Sequence, residues 1–294
     1  MTAAYRNHAF ADPLNEADDV VWASIARCYA AFGSPLVPTR EDIHAYESAM
    51  LAQAQAGTGD GIRALMLGVT PGIALMKWPA GSRITAVDIS SAVIGALWPG
   101  DIPGIRKAIC ASWFAIPMAR KSCDVVFGDG SLNACRFPGE VRDLVHTVAD
   151  LLVDEGLFVV RSYIRPQSPE AIDAVFSDLF SAHGMDVDCF KMRLWLAMQR
   201  SVEDGVPVKE AARILDKHNL DHRVMKERIG WSSAAVEPFA AWKTSDAVYS
   251  FPTLDELREV LGERFDEVSV TYPGYELGNC CPTLVMRRKL SRNS

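Results

Sequence analysis

The sequence predicts an α/β protein with a doubly wound, seven-stranded and mostly parallel sheet, accompanied by a helical cap and a helical insertion. Three observations favour this class. From residue 63 onward, short apolar runs alternate with helical patterns, a glycine-containing loop follows the first run, and the last two runs lie close enough to form an antiparallel hairpin. Hydrophobic residues make up 49% of the 294 positions, so the chain can bury a core of the size that such a sheet needs.

The N-terminal part of the chain is predicted to form a helical cap over residues 1–61. A helical pattern covers residues 18–32. Thr39 then has the position of an N-cap with Asp42 as its capping-box partner, so a second helix is predicted to start there. Residues 52–61 are a glycine-rich link, which separates the cap from the first strand.

Strands and helices alternate in the segment that follows the cap. An apolar run at 63–67 ends at Gly68, and a short helix is predicted at 73–78. Further strands are predicted at 83–87, 106–110, 124–128 and 157–163, and a helix at 140–152. Because short loops join these units, we expect the strands to lie parallel in one sheet.

The pattern changes after Pro169. Helices are predicted one after another, without an intervening strand, at 170–182, 190–200, 208–218 and 221–229. Their apolar faces suit either the pairing of two subunits in a homodimer or closure over a bound molecule. We therefore assign residues 184–248 to a helical insertion, and residues 62–183 together with 249–294 to the α/β domain.

The C-terminal segment returns to the α/β pattern. Thr253 is predicted to cap a helix that runs through Leu261, and strands are predicted at 265–272 and 281–288. The connection of roughly eight residues between these strands permits a hairpin. Such a hairpin would place an antiparallel strand at the edge of the sheet.

The composition argues against several classes of function. The chain has 30 Lys and Arg against 37 Asp and Glu, a net charge of −7, whereas nucleic-acid binding requires clustered positive charge. No stretch reaches the ~18 uninterrupted apolar residues of a membrane span, and no secretory apolar region is present. Seven cysteines without a Cys-x-x-Cys pair fit reduced thiols. We expect a cytoplasmic protein that binds neither membranes nor nucleic acids.

Candidate binding residues lie at the ends of the first two strands. Gly68 and Gly72 flank Thr70 in the first loop, and a glycine lets the backbone approach a ligand closely because it has no Cβ. Asp88 ends the second strand. An acid at this place accepts hydrogen bonds from ribose hydroxyls, so the two features together predict a nucleoside site.

This order of elements, with an acid after strand two and a closing hairpin, resembles the class I S-adenosylmethionine-dependent methyltransferases over residues 62–165 and 251–288. The first loop of that family reads acid-x-Gly-x-Gly-x-Gly, and the matching residues here are Met66, Gly68, Thr70 and Gly72. The resemblance implies that the α/β domain binds S-adenosylmethionine as its cofactor. It also implies that Met66 replaces the acid that holds the cofactor's amino group through water.

The resemblance assigns the nucleoside part of the cofactor to four residues. Asp88, with Ile89 beside it, matches the position that binds the ribose. Ser112 and Trp113 match the positions that bind the adenine amino group and ring. Serine accepts a hydrogen bond more weakly than the acid that the family often has there.

The resemblance places the transferred methyl group near the end of strand four, at Gly128 and Asp129. The implied activity is transfer of that methyl group to an oxygen or nitrogen of a small molecule. Where the acceptor must lose a proton, Asp129 and His44 are the candidate bases. Asp129 is equally suited to an Asx turn with Gly130.

Two other functions fit part of the pattern. An NAD(P)-dependent oxidoreductase would also place glycines after strand one, but residues 68–72 lack its Gly-x-Gly-x-x-Gly fingerprint. A non-catalytic S-adenosylmethionine sensor or partner-binding protein would explain the loss of the acid at Met66.

His218 and His222 have a spacing that two metal ligands could share, but no third ligand is evident, and we expect no bound metal.

Overall fold

The computed structural model of the chain describes residues 16–57, 61–181 and 183–290. Its α-helices are α1 Glu16–Cys28, α2 Arg40–Ala56, α3 Pro71–Ala74, α4 Ser91–Leu97, α5 Gly139–Leu151, α6 Ile172–Leu179, α7 Val187–Met198, α8 Val208–Lys217, α9 Ser233–Val236, α10 Pro238–Ala241 and α11 Leu254–Gly262. Its strands are β1 Arg63–Leu67, β2 Arg83–Asp88, β3 Arg106–Cys110, β4 Cys123–Asp129, β5 Leu152–Arg161, β6 Val206–Pro207, β7 Val248–Tyr249, β8 Phe265–Thr271 and β9 Thr283–Arg288.

The main sheet has seven strands in the order β3-β2-β1-β4-β5-β9-β8. Strands β1 to β5 are parallel to one another, and β9 is antiparallel to both β5 and β8. The predicted α/β class, the seven strands and the terminal hairpin are therefore confirmed. This strand order is also the one that defines the class I methyltransferase-like fold.

The predicted edge position of the antiparallel strand is wrong. The antiparallel strand is β9, which lies inside the sheet, and the edge strand β8 runs in the same direction as β5. Burial explains the arrangement: β9 is buried along nearly its whole length, whereas β8 is mostly exposed. The apolar strand occupies the interior, and the strand with acidic residues forms the edge, where charge discourages pairing with other chains.

Alternating side chains of the parallel strands pack against helices on the two faces of the sheet. In β1, Leu65 and Leu67 belong to one core cluster, which contains α5 and α11 residues. Ala64 and Met66 belong to a second cluster, which contains residues of α2. The period of two along the strand thus directs Met66 into the core.

The segment predicted as an insertion packs around an aromatic cluster that includes Phe190, Trp195 and Phe239, and residues of α6 and of the C-terminal segment belong to the same cluster. Two details differ from the predictions. A π-helix covers Val224–Ile229, within the segment predicted as an α-helix. The two-residue strands β6 and β7 form a small antiparallel sheet, whereas no strand was predicted between the helices. Strands of two residues are too short to produce a recognisable alternation.

Helix α2 connects the cap to the sheet. The predicted capping box is confirmed: Thr39 accepts a hydrogen bond from the backbone N–H of Asp42, whose carboxylate accepts one from the backbone N–H of Thr39. Farther along α2, the fully buried hydroxyl of Tyr46 donates to the Gly128 carbonyl oxygen at 2.7 Å and accepts from the Arg161 N–H at 3.1 Å. The Tyr46 side chain therefore connects α2 to both β4 and β5.

Among the residues described above, no helix combines the length and apolarity needed to cross a bilayer.

Replacing Tyr46 with Phe should destabilise the fold, because the Gly128 carbonyl and the Arg161 N–H lose a buried partner. We expect the free energy of unfolding to fall by about 1–3 kcal/mol, as measured by urea denaturation. Tyr272→Phe is the matched control, since that residue is 47% exposed. Equal losses in the two variants would contradict the connecting role of Tyr46.

Candidate ligand-binding site

A cavity of about 530 Å³ opens at the carboxyl ends of β1 to β4. Its walls are the loops that follow these four strands, with contributions from α1, α4 and the end of the insertion. The volume falls within the range of about 300–1,000 Å³ that is usual for small-molecule sites. The carboxyl edge of a doubly wound sheet is where such folds bind their ligands.

The loop after β1 leaves space in the middle of the cavity wall. Gly68 has a φ of +84°, a left-handed conformation that favours glycine. A Cβ atom placed there would lie 3.7 Å from Asp88 Oδ2 and 3.5 Å from Trp113 Cζ2. A side chain at this position would therefore project between the carboxylate and the indole ring. Thr70, which precedes the single-turn helix α3, is also part of the wall.

Asp88 presents a fixed carboxylate to the cavity. Its Oδ1 accepts a hydrogen bond from the Ser90 N–H at 2.9 Å, and the backbone N–H groups of Val69 and Ile89 also bond to the carboxylate. Burial raises the pKa of Asp88, and these three hydrogen bonds oppose the rise without cancelling it. The carboxylate is thus held by its own loop and by the loop of β1.

The residues after β3 complete this side of the cavity. Ser112 caps the 3-10 helix Trp113–Ala115, and its hydroxyl accepts a hydrogen bond from the Phe114 N–H at 3.3 Å. The indole of Trp113 donates to the Val87 carbonyl oxygen at 2.7 Å, which fixes the ring beside Gly68. Together with Asp88 and Ile89, these side chains line the part of the cavity where the sequence predicts a nucleoside.

Three predicted site residues lie elsewhere. Gly72 is an exposed residue of α3 that faces α2, where a Cβ atom would lie 3.0 Å from Ile43 Cδ1, and it does not line the cavity. Gly128 lies behind Ser131 and does not line the cavity. His44 is exposed on the outer side of α2 and lines a separate depression, so the structure does not bring it near Asp129.

Asp129 lines the cavity, but its carboxylate is part of a buried ion pair. Its Oδ1 accepts a hydrogen bond from Arg161 Nε at 2.6 Å, and the Arg161 side chain is fully buried. The other guanidinium contacts are the carbonyl oxygen of Pro35 at 3.0 Å, the hydroxyls of Tyr275 at 2.9 Å and Tyr163 at 3.2 Å, and Asp42 Oδ2 at 3.5 Å. Arg161 is not among the predicted site residues, although an arginine inside an apolar strand indicates a buried charge that needs partners.

The ion pair determines the protonation chemistry at Asp129. Burial raises the pKa of its carboxyl, and the adjacent guanidinium opposes that rise without cancelling it. Burial lowers the pKa of Arg161, but the Asp129 carboxylate and the two tyrosines outweigh it, and the net pKa lies well above its usual value. Arg161 therefore stays charged, and a proton on Asp129 would leave that charge without its partner.

Helix α1 and the insertion cover the cavity. Trp22, Ile25 and Tyr29 from the cap, with Val248 and Tyr249 from β7, contribute apolar surface to its outer walls. Burial raises the pKa of Tyr29, so its hydroxyl keeps its proton at neutral pH.

The charged side chains of the cavity wall are mainly acidic. Asp88, Asp129 and Asp246 line it, with Arg136 as the basic residue among the described lining residues. In the described part of the chain, including this wall, no group of three or more His, Cys, Asp or Glu lies close enough together to hold a metal ion. His218 stacks on Phe176 with a ring distance of 3.8 Å.

Comparisons with known proteins bear on the fold. No family model and no curated protein matches the chain. A Rhodobacter sphaeroides protein with the provisional name of a Zn-dependent alcohol dehydrogenase has a TM-score of 0.58 at 12% identity, over 94% of this chain and 100% of that one.

Two methyltransferases are among the other solved structures. The N-methyltransferase NodS from Bradyrhizobium japonicum WM9, solved with S-adenosyl-L-homocysteine, has a TM-score of 0.47 at 11% identity, over 91% of this chain and 98% of that one. The CurJ carbon methyltransferase has a TM-score of 0.48 at 12% identity, over 84% of this chain and 53% of that one. At such identities, similarity concerns the fold alone, and the activity must be argued from the site.

Replacing Arg161 with Met should be strongly destabilising, because Asp129 and Asp42 would remain buried without a cation. We expect the free energy of unfolding to fall by about 3–5 kcal/mol in urea denaturation. Arg213→Met is the control: its side chain is 71% exposed and pairs with Glu210, so a change below about 1 kcal/mol is expected. A loss no larger than that of the control would show that the guanidinium does not hold these elements together.

Proposed function

We propose that the protein is an S-adenosylmethionine-dependent methyltransferase that transfers the methyl group to an oxygen or nitrogen of a small molecule. The observation that carries the proposal is the position of the Asp88 carboxylate. It faces the cavity at the end of β2, next to Gly68 and Trp113. A carboxylate fixed in this way can accept hydrogen bonds from both hydroxyls of a ribose.

The rest of this wall fits a nucleoside. Gly68 leaves space for a sugar where any other residue would place a Cβ atom. The Trp113 ring offers a flat apolar surface beside that space, and Ser112 offers a hydroxyl. These groups suit adenosine bound across the ends of β1, β2 and β3.

The charge of the cavity favours S-adenosylmethionine over a dinucleotide. The sulfonium and ammonium groups of S-adenosylmethionine are cationic, and Asp88 is a carboxylate of the cavity wall that forms no ion pair with a described residue. The other two wall carboxylates are paired, Asp129 with Arg161 and Asp246 with Lys209. A dinucleotide would bring a diphosphate, which requires a basic side chain or a glycine-rich turn opening a long helix. Here the helix after β1 has four residues, and Arg136 is exposed.

When bound, S-adenosylmethionine supplies a methyl group that is already electrophilic. The protein's contribution is then mainly to position the two reactants and to exclude water. Asp88 orients the sugar, and the apolar side chains of α1 and β7 shield the centre of the cavity. Asp129 forms a buried ion pair with Arg161 near the end of β4, and its Oδ1 is bound by the guanidinium. We assign it a positioning role instead of that of a general base.

Asp88→Asn should weaken the binding of S-adenosylhomocysteine in isothermal titration calorimetry. Hydrogen bonds to a charged group are strong, so we expect the affinity to fall about ten- to a hundredfold. Asp266→Asn, a change to an exposed aspartate on β8, should leave the affinity unchanged. Undiminished affinity in Asp88→Asn would contradict the assignment of the Asp88 carboxylate to the ribose hydroxyls.

Two further assays on the unmodified protein distinguish a methyltransferase from an oxidoreductase and from a non-catalytic sensor. Titration of the intrinsic fluorescence with NADH should show no binding, and binding would favour an oxidoreductase. Incubation with S-adenosylmethionine and a panel of amines and phenols should release S-adenosylhomocysteine. Binding without release for any acceptor would favour a non-catalytic sensor.

The affinity for S-adenosylhomocysteine should also depend on pH. Because burial raises the pKa of Asp88, this carboxyl takes up a proton at a higher pH than an ordinary aspartate, and a protonated carboxyl accepts ribose hydrogen bonds poorly. We expect affinity to be constant above this raised pKa and to weaken as the pH falls through it. Calorimetry between about pH 4 and pH 7 measures the effect. The Asp88→Asn variant should show no such dependence, and a flat profile in the unmodified protein would contradict the assignment.

A further inference from the structure

One face of α1 and of the turn that follows it lines the outer side of the cavity. Its members have the spacing of a helical stripe, and they are Trp22, Ile25, Ala26 and Tyr29. The first three offer largely apolar surface, whereas Tyr29 ends the stripe with a hydroxyl. Tyr29 is therefore the position at which this face presents a hydroxyl to the cavity.

The Tyr29 hydroxyl has its hydrogen-bonding capacity left for a ligand. Within the described residues it makes no hydrogen bond, and its ring packs edge-on against Phe32 with the ring centroids 6.5 Å apart. Burial is the main cause of its raised pKa, to which the charge of Asp129 adds and which that of Arg161 opposes. Because these two groups end β4 and β5, the hydroxyl is directed at that end of the cavity.

A nucleoside bound at Asp88 leaves the end of β4 for the second reactant. Asp88 ends β2, Gly68 follows β1 and Trp113 follows β3, and β4 is the next strand beyond β1. Asp129 ends β4 and lines the same cavity. An acceptor held at this end therefore lies between β4 and the Tyr29 hydroxyl.

The ionisable groups at this end are already committed. Arg161 Nε donates to Asp129 Oδ1 at 2.6 Å, and a proton taken up by that carboxyl would deprive the guanidinium of its counter-charge. Asp246 pairs with Lys209 at 2.7 Å. Burial raises the pKa of the Cys135 thiol, which stays protonated. A cationic amine would therefore meet no unpaired carboxylate among the described residues of this end, and a neutral hydroxyl would meet no free base.

The remaining surface at this end suits a ring. It is formed by Ile25, Leu36, Val248 and Tyr249. The Tyr249 ring is held against Trp195 with the ring centroids 5.3 Å apart, so this wall is ordered before a ligand binds. An aromatic acceptor would bury apolar surface against these side chains. An amino group attached directly to such a ring is uncharged at neutral pH, whereas an aliphatic amine is protonated, as lysine is.

We propose that the acceptor is an aromatic amine and that the Tyr29 hydroxyl oxygen accepts a hydrogen bond from its N–H. This bond turns the nitrogen lone pair toward the methyl group. The lone pair forms the new carbon–nitrogen bond as the carbon–sulfur bond breaks, sulfur keeps the electrons of that bond, and the N–H proton then leaves to water. The assignment rests on the proposed function, because it requires the methyl donor to be bound at Asp88.

Three small molecules test the class of acceptor. p-Toluidine carries its amino group on the ring, and its isomer benzylamine carries it on the side chain, where it is protonated. p-Cresol has a hydroxyl in place of the amino group of p-toluidine, and its pKa of about 10 keeps it neutral. With saturating S-adenosylmethionine at about pH 7, p-toluidine should release S-adenosylhomocysteine at least about tenfold faster than either of the others. A smaller ratio, or no release above the protein-free rate, would overturn the acceptor class.

Binding tests Tyr29 without turnover. In the complex with S-adenosylhomocysteine, ligand-observed NMR titration measures the affinities for p-toluidine and for toluene, which has no N–H. Tyr29→Phe should weaken p-toluidine binding about three- to tenfold and leave toluene binding within about twofold. Tyr272→Phe, at a tyrosine that is 47% exposed, is the matched control and should change neither affinity. Unchanged p-toluidine affinity in Tyr29→Phe, or equal weakening of both ligands, would overturn the role of the hydroxyl.

Calorimetry with S-adenosylhomocysteine separates this proposal from the function on which it rests. Failure of the unmodified protein to bind S-adenosylhomocysteine would refute the proposed function and the acceptor assignment together. Binding of S-adenosylhomocysteine combined with faster turnover of benzylamine or p-cresol would leave the proposed function intact and refute only the aromatic amine.

Discussion

The buried guanidinium of Arg161 is the constraint on which the arrangement of the site depends. A fully desolvated charge is tolerated only when its N–H groups and its charge are matched by the protein. The partners come from separate parts of the chain: Asp129 from β4, Asp42 from α2, and Pro35, Tyr163 and Tyr275 from three connecting segments. Each of these segments must be in place before the charge is satisfied, so the helical cap, the sheet and the β8–β9 connection are fixed relative to one another.

The cap is held at a second point by another buried ion pair. Lys191 Nζ on α7 bonds to Asp188 Oδ1 at 2.8 Å and lies 4.5 Å from the Phe32 ring centroid. Asp188 Oδ2 accepts from the Gly33 N–H at 2.6 Å. Arg161 contacts the same connection two residues later, at the Pro35 carbonyl. The segment between α1 and α2 is therefore fixed to both the insertion and the sheet, which positions α1 over the cavity.

Local patterns predicted what short segments determine by themselves. The parallel strands follow from apolar runs and short loops, the Thr39 capping box follows from residue types three apart, and Asp88 follows from its place at a strand end. Features set by distant contacts were not predictable in this way. The interior position of β9 depends on competition with β8 for burial, and the partners of Arg161 lie up to 126 residues away along the chain. His44 illustrates the same limit, because helical periodicity does not show which residues α2 turns toward the cavity.

The ion pair also bears on how the end of β4 can take part in chemistry. An aspartate beside a cationic ligand is most useful when it is ionised. Burial raises the pKa of Asp129, and Arg161 opposes that rise without reaching the cavity itself. The same contact occupies Oδ1, so the carboxylate has a fixed orientation and presents its other oxygen. A freely rotating aspartate would have to lose conformational entropy on binding, whereas this one is already ordered. Preorganisation of this kind favours binding and positioning, and a proton taken up by Asp129 would deprive the guanidinium of its nearest counter-charge.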